Sequence, residues 1–149
     1  MKIRYGFVTN SSSSSFILNF KSKHQVMEEL LKDGATRDMA AAINNRILLY
    51  GIKLSKKELE QQLRTGYTTE AEYSTFFRSM RNGGKWEDSS LTEQELAEVE
   101  AKVKADMEKV KDGTYTVLLD VSDHDEEGST LEHHVLPQAA ALVTCFNNH

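Results

Sequence analysis

The sequence has a single cysteine, Cys145, so no internal disulfide can form, and the free thiol fits a reducing compartment. No apolar run approaches the roughly 20 residues that a membrane helix needs. The stretch after Lys2 and Arg4 breaks at Thr9-Asn10 and five serines, too soon for a secretory signal. Asn10-Ser11-Ser12 therefore matches the glycosylation pattern by chance. There is no dense basic face: acidic and basic residues are interspersed, with a net charge of -5. That argues against nucleic acid as a partner, and the balance is too mild for a mimic of DNA. No internal repeat is present, nor the glycine pattern of a nucleophile elbow.

What remains is an ordinary globular composition. At 149 residues, 39% hydrophobic and 28% charged, the chain is long enough for one domain with a real core. The middle is punctuated as helices. Val26, Leu30 and Leu31 share a helical face between Ser22 and Gly34. Ala40, Ile43, Ile47 and Tyr50 do the same ahead of Gly51. Ser55-Lys-Lys-Glu58, Thr69-Glu-Ala-Glu72 and Thr92-Glu-Gln-Glu95 each have capping-box form, in which the hydroxyl accepts a backbone N–H and the carboxylate reaches back. They predict helices ending near Arg64 before Gly66, at Asn82-Gly83-Gly84, and at Gly113. Leu96, Val99, Val103, Met107 and Val110 give the last helix its apolar stripe. Tyr73, Phe76 and Phe77 read as core.

The two ends read as strand. Residues 16–20 and 115–121 are short, apolar and rich in strand formers. Residues 2–8 are a further strand candidate. Residues 141–146 are a strand or a short helix, which periodicity does not separate. The expected fold is α+β: a small sheet formed by both chain ends, with a central block of about five helices packed against it. The chain then forms one domain, 1–149. It comprises a serine-rich motif and strand (1–20), the helical block (22–112), and a strand, acidic loop and C-terminal segment (114–149). The first and last strands should pair, and the helix near residues 93–111 should pack on them through Leu96, Val99 and Val103.

The serine run, Ser11, Ser12, Ser13, Ser14 and Ser15 after Asn10, is unusual, because serine hydroxyls compete for backbone groups in helices and strands. It reads as a solvated loop leading into a strand, a phosphate-binding nest, or a tract that is modified or read by a partner. A phosphate loop needs glycines, and Gly6 is the only one nearby. The opening Arg4, then Phe7-Val-Thr-Asn10, the serine run and Phe16 resembles that of a loose group of bacterial and bacteriophage proteins without assigned activity. The acidic loop, Leu131-Glu132-His133 and the late histidine are a weaker second likeness. The resemblance covers about the first 17 residues. It implies a bacterial cell or phage-infected host and a cytoplasmic location, and carries no mechanism.

The densest chemistry runs from Asp120 to His134. Asp123, Asp125, Glu132, His133, His134 and the distant His149 are the ligand types a divalent metal takes. Asp123-x-Asp125-x-Glu127-Gly128 imitates the start of a calcium loop, but His134 stands where the bidentate glutamate belongs. The plainer reading is a solvated acidic turn, followed by a short helix that Ser129-Thr-Leu-Glu132 caps and Pro137 limits to about two turns. On such a helix Glu132 and His133 would diverge by about 100°. Cys145 reads as a buried structural thiol, since nothing local is electropositive. Trp86, after Gly83-Gly84-Lys85, is a loop anchor or a binding hot spot. The leading expectation is a non-enzymatic protein that engages a protein partner. The alternative is a metal-binding protein or metal-dependent enzyme using the acidic loop and late histidines.

Overall fold

A computed structural model gives the fold, and it describes residues 13–81, 91–122 and 124–147. The fold is α+β, with an antiparallel sheet formed from both chain ends. β1 (Ser13–Phe20) and β3 (Tyr115–Ser122) pair through their full length, with Phe16 opposite Leu119. This is the pairing the two apolar ends require, since an isolated strand leaves its backbone groups unpaired. β4 (Leu142–Asn147) adds to the other edge of β1, which settles residues 141–146 as strand. β2 (Ile52–Lys53), which the sequence did not announce, adds to β3 and gives the order β2-β3-β1-β4. Residues 2–8 lie outside the described residues.

Strand alternation puts Phe16, Leu18, Phe20, Val117, Leu119 and Val121 on one face. All are at most 1% exposed, and they form one core with Val26, Leu30, Ala40, Ile43, Ile47, Leu131 and Leu136. The helices covering this face are α1 (Val26–Lys32) and α2 (Arg37–Tyr50). Thr36 caps α2 by accepting from the Met39 N–H at 3.2 Å. Leu31 and Tyr50, expected to share the buried stripes, are 39% and 67% exposed. Leu31 follows Leu30, which fills the core direction, and one helical face cannot hold neighbours 100° apart. Tyr50 keeps the register of Ile47 but stands on the last residue of α2, at the margin of the core.

The contacts divide the chain into two compact units. Among the described residues, one comprises 13–55 together with those of 110–147, and the other comprises those of 56–109. The second is a helical hairpin of α3 (Lys56–Arg81) and α4 (Glu93–Lys109). The expected break near Gly66 is absent, and α3 runs through it for 26 residues. A mid-helix glycine costs about 1 kcal/mol. Packing outweighs it here: Leu59 and Leu63 are fully buried, Arg64 grips Glu100 at 2.7 and 2.9 Å, and the Tyr67 hydroxyl donates to the nearly buried Asp106. Thr69 therefore starts no helix. It lies inside α3 and donates to the Thr65 carbonyl at 2.7 Å. The Thr92 box does form: Thr92 Oγ1 accepts from the Glu95 N–H, and Glu95 Oε1 from the Thr92 N–H, at 3.1 and 2.9 Å. Along α4, Val99 and Val103 are buried, while Leu96 is 47% exposed. Phe77, expected in the core, is 55% exposed and stacks on Tyr73 at 5.9 Å. No helix among the described residues is long and apolar enough to cross a membrane.

Candidate functional site

The serine run enters the sheet earlier than expected. Ser13, Ser14 and Ser15 belong to β1, while Asn10, Ser11 and Ser12 lie outside the described residues, as does Trp86. Alternation sends Ser15 to the face opposite the core, where it donates to Asp120 at 2.6 Å. Ser14 faces the core and is 2% exposed. A hydroxyl there needs a partner, because an unsatisfied buried group costs about 1–3 kcal/mol. Ser14 Oγ lies 2.8 Å from both Glu132 Oε2 and Asn147 Oδ1. It carries one proton. Both oxygens lie on the acceptor side of the hydroxyl, so its single proton satisfies the Glu132 carboxylate or the Asn147 carbonyl at any one moment.

Glu132 comes to this position on an irregular turn. Asp125, not Ser129, is the N-cap: its carboxylate accepts from the Gly128 N–H at 2.6 Å and opens α5 (Glu126–Thr130). Gly128 is required there, since a Cβ would lie 2.2 Å from the Ser122 carbonyl oxygen. The helix then widens into a π turn, Leu131–Val135, ahead of Pro137. Leu131 and Glu132 are both buried, and His133 and His134 are exposed. The expected divergence of Glu132 and His133 does not hold, for His133 Nε2 lies 3.1 Å from Glu132 Oε1. The two side chains turn towards each other across the widened turn.

Serine, glutamate and histidine are thus in line, but in the wrong order for nucleophilic catalysis. A catalytic imidazole stands between hydroxyl and carboxylate and takes the hydroxyl proton. Here the carboxylate stands in the middle, and His133 does not reach Ser14. The line ties β1, the π turn and β4 together. Cys145, also on the core-facing side of β4, packs against the core, with its Sγ 3.8 Å from Asn147 Oδ1.

The acidic turn finds its neutralising charge within the fold. Arg46, from α2, reaches Glu127 at 3.0 Å and Asp125 at 3.9 Å. Its Nε is buried without a hydrogen-bond partner. Of the described metal candidates, the fold brings Glu132 and His133 together, while Asp125 is spent on the cap and Glu132 also accepts from Ser14. No group of three such ligands exists among the described residues. Asp123 and His149 lie outside them.

The second unit holds an open groove of about 650 Å³ between α3 and α4, bordered by Tyr67, Glu70, Glu95, Glu98 and Lys102. Its groups already serve the hairpin: Glu95 accepts from Thr75 at 3.0 Å, and the Lys102 ammonium lies 5.5 Å from the centre of the Tyr67 ring.

The feature that sequence reasoning missed is the corner between α2 and β2. Leu48, Leu49, Tyr50 and Ile52 are 57%, 72%, 67% and 57% exposed. Four large apolar side chains within five residues leave an oily surface where only Ile47 turns inward. Backbone hydrogen bonds pin the corner on both sides: Gly51 N–H donates to the Ile47 carbonyl at 2.9 Å, and the Leu54 N–H donates to the Thr116 carbonyl at 2.9 Å. A signal was available in the sequence, since three consecutive apolar residues on a helix, Leu48-Leu49-Tyr50, span more directions than one core face accepts. No family model matches the chain, and neither a curated protein nor a solved structure does.

Proposed function

We propose that this chain is a protein-interaction module of bacterial or phage type, and that the α2–β2 corner is where it engages its partner. The observation that carries this reading is the run of exposed apolar side chains at Leu48, Leu49, Tyr50 and Ile52, clustered within five residues, whereas Leu31, Phe77 and Leu96 are exposed elsewhere in the chain. Scattered single apolar residues on a surface need no explanation, whereas a clustered patch marks a binding surface. Tyrosine and leucine on a pre-formed backbone supply contact area at little ordering cost. The metal-dependent alternative has no comparable support, because Arg46 already compensates the acidic turn and no three candidate ligands converge among the described residues.

The test is comparative capture. The intact chain and its Leu49→Asp/Tyr50→Asp variant are immobilised and exposed to the same bacterial lysate, and the retained proteins are quantified. Both substitutions fall on exposed positions, so unchanged circular dichroism is expected. A protein retained by the parent and lost on the variant supports the reading. Identical retention by the two discards it.

A further inference from the structure

The corner has a chemistry more specific than oiliness, and we infer that its occupant is an extended segment of a partner protein, with acidic side chains on one face and apolar side chains on the other, that pairs with the outer edge of β2. The inference rests on the interaction reading above and deepens it.

Backbone phase comes first. Lys53 stands opposite Val117 and Ile52 opposite Leu118. Leu54 donates to the Thr116 carbonyl, so Ile52 and Leu54 direct their backbone groups at β3. Antiparallel pairing alternates, so the Lys53 N–H and C=O point away from β3, to the edge that β2 forms among the described strands. Natural sheets cover or blunt such edges, and an added strand is what an open one accepts.

Side-chain chemistry comes second. Lys53 shares the face of Val117, where a cavity of about 300 Å³ opens between Lys23, Leu48, Lys53 and Tyr115. Both lysines are exposed, and neither pairs with a carboxylate among the described residues. In a chain of net charge -5, a cavity with no carboxylate in its lining, flanked by two ammonium groups that have no acidic partner among the described residues, is electrostatically complementary to an acidic side chain. On the other face, the half-exposed Ile52 lies beside Leu118. Successive residues of a strand point to opposite faces. An incoming segment therefore meets Lys53 and Lys23 on one face and the apolar side chain of Ile52 on the other.

The experiment selects binders from a displayed library of random 12-residue peptides against the intact chain. Expected are peptides in which Asp or Glu alternates with Val, Ile or Leu. Their affinity should fall at least about tenfold on Lys23→Glu/Lys53→Glu and hold in Lys23→Arg/Lys53→Arg. N-methylation at alternate peptide residues, which removes one donor at a time, should weaken binding in one phase of the alternation only. Peptides that lose binding on Leu49→Asp/Tyr50→Asp, yet ignore charge reversal and N-methylation, would overturn strand addition while leaving the interaction module standing. A library yielding no binder at this corner overturns the inference. So does concentration-dependent dimerisation of the chain that Leu49→Asp/Tyr50→Asp abolishes, because the occupant would then be a second copy.

Discussion

Replacing Gly51 by alanine tests whether the corner is as rigid as its geometry implies. Gly51 has φ -68° and ψ 143°, values any residue adopts, so backbone strain plays no part. An ordinary Gly→Ala change at such a position stabilises by about 0.4–1 kcal/mol, by restricting the unfolded chain. Here the added Cβ would stand 2.6 Å from the Ile47 carbonyl oxygen and 2.7 Å from Val117 Cγ2. The first is a backbone atom in the last turn of α2, and the second belongs to a fully buried side chain. Neither can swing aside, so the helix end must move away from the sheet. Overpacking of this kind costs about 1–3 kcal/mol. Set against the entropic gain, Gly51→Ala should destabilise by about 1–2 kcal/mol. Urea unfolding followed by far-UV circular dichroism measures the change, and amide exchange at Leu54 reports whether its bond to Thr116 opens first. An alanine variant at least as stable as the parent would show that the corner yields, and a yielding corner could not present a pre-formed edge.

Three further outcomes follow from the same coordinates. Ser14→Ala removes a donor from a carboxylate that is 3% exposed and should cost about 1–3 kcal/mol, whereas Ser15→Ala, at an exposed bond, should stay within about 0.5 kcal/mol; equal costs in urea titrations would refute the assignment of Ser14 to the core. Desolvation holds the Tyr115 phenol above its ordinary value near 10. The unfolded chain then loses that proton first, so stability is intact below about pH 10 and declines as pH rises from there towards the folded-state value. Tyr115→Phe should flatten this alkaline decline, and an identical profile in the variant would contradict it. Zinc, manganese, magnesium and calcium should leave the melting temperature unchanged, since Arg46 and Ser14 already serve the acidic groups; a rise that His133→Ala/His134→Ala abolishes would restore the metal reading.

The fold was legible where local signals and tertiary packing agree. Residues 16–20 and 115–121 announced themselves as strands by composition, and their pairing followed from having no nearer partner. The Thr92 box was readable because both of its reciprocal bonds are local. The failures occurred where a local signal met a stronger distant one. Thr69-Glu-Ala-Glu72 has capping-box form, and Gly66 is the expected break before it. The buried Leu59 and Leu63, with the Arg64–Glu100 and Tyr67–Asp106 bonds to α4, keep the helix continuous through both. Ser129-Thr-Leu-Glu132 fails as a cap for a related reason. Asp125 starts the helix one turn earlier, and Glu132 is claimed by a serine 118 positions away. β2 was invisible because two residues carry no periodicity; it exists only because Gly51 turns the chain back onto β3.

The candidate site was illegible for a different reason, which bears on how chemistry-bearing residues are weighed. Sequence reading favours clusters of ionisable side chains, and residues 120–134 are the richest such cluster. The fold spends those groups on itself: Asp125 caps, Glu127 meets Arg46, and Glu132 is held from β1. A carboxylate engaged with an internal partner has surrendered the capacity that made it look functional. The surface left with unsatisfied interactions is the one built of residues that reading assigns to the core by default. Leu48, Leu49 and Tyr50 look structural because leucine and tyrosine usually are, and Tyr50 even falls in register with Ala40, Ile43 and Ile47. Register alone does not bury a residue. At the last turn of α2 the sheet has ended beneath the helix at its short edge strand, and the stripe runs past the core it was built for. Lys23 and Lys53, which pair with no carboxylate among the described residues, border that overhang. Among the described residues, exposed apolar area, a sheet edge without a further strand and positive charge without an acidic partner therefore coincide at one corner, which is why the interaction reading is placed there.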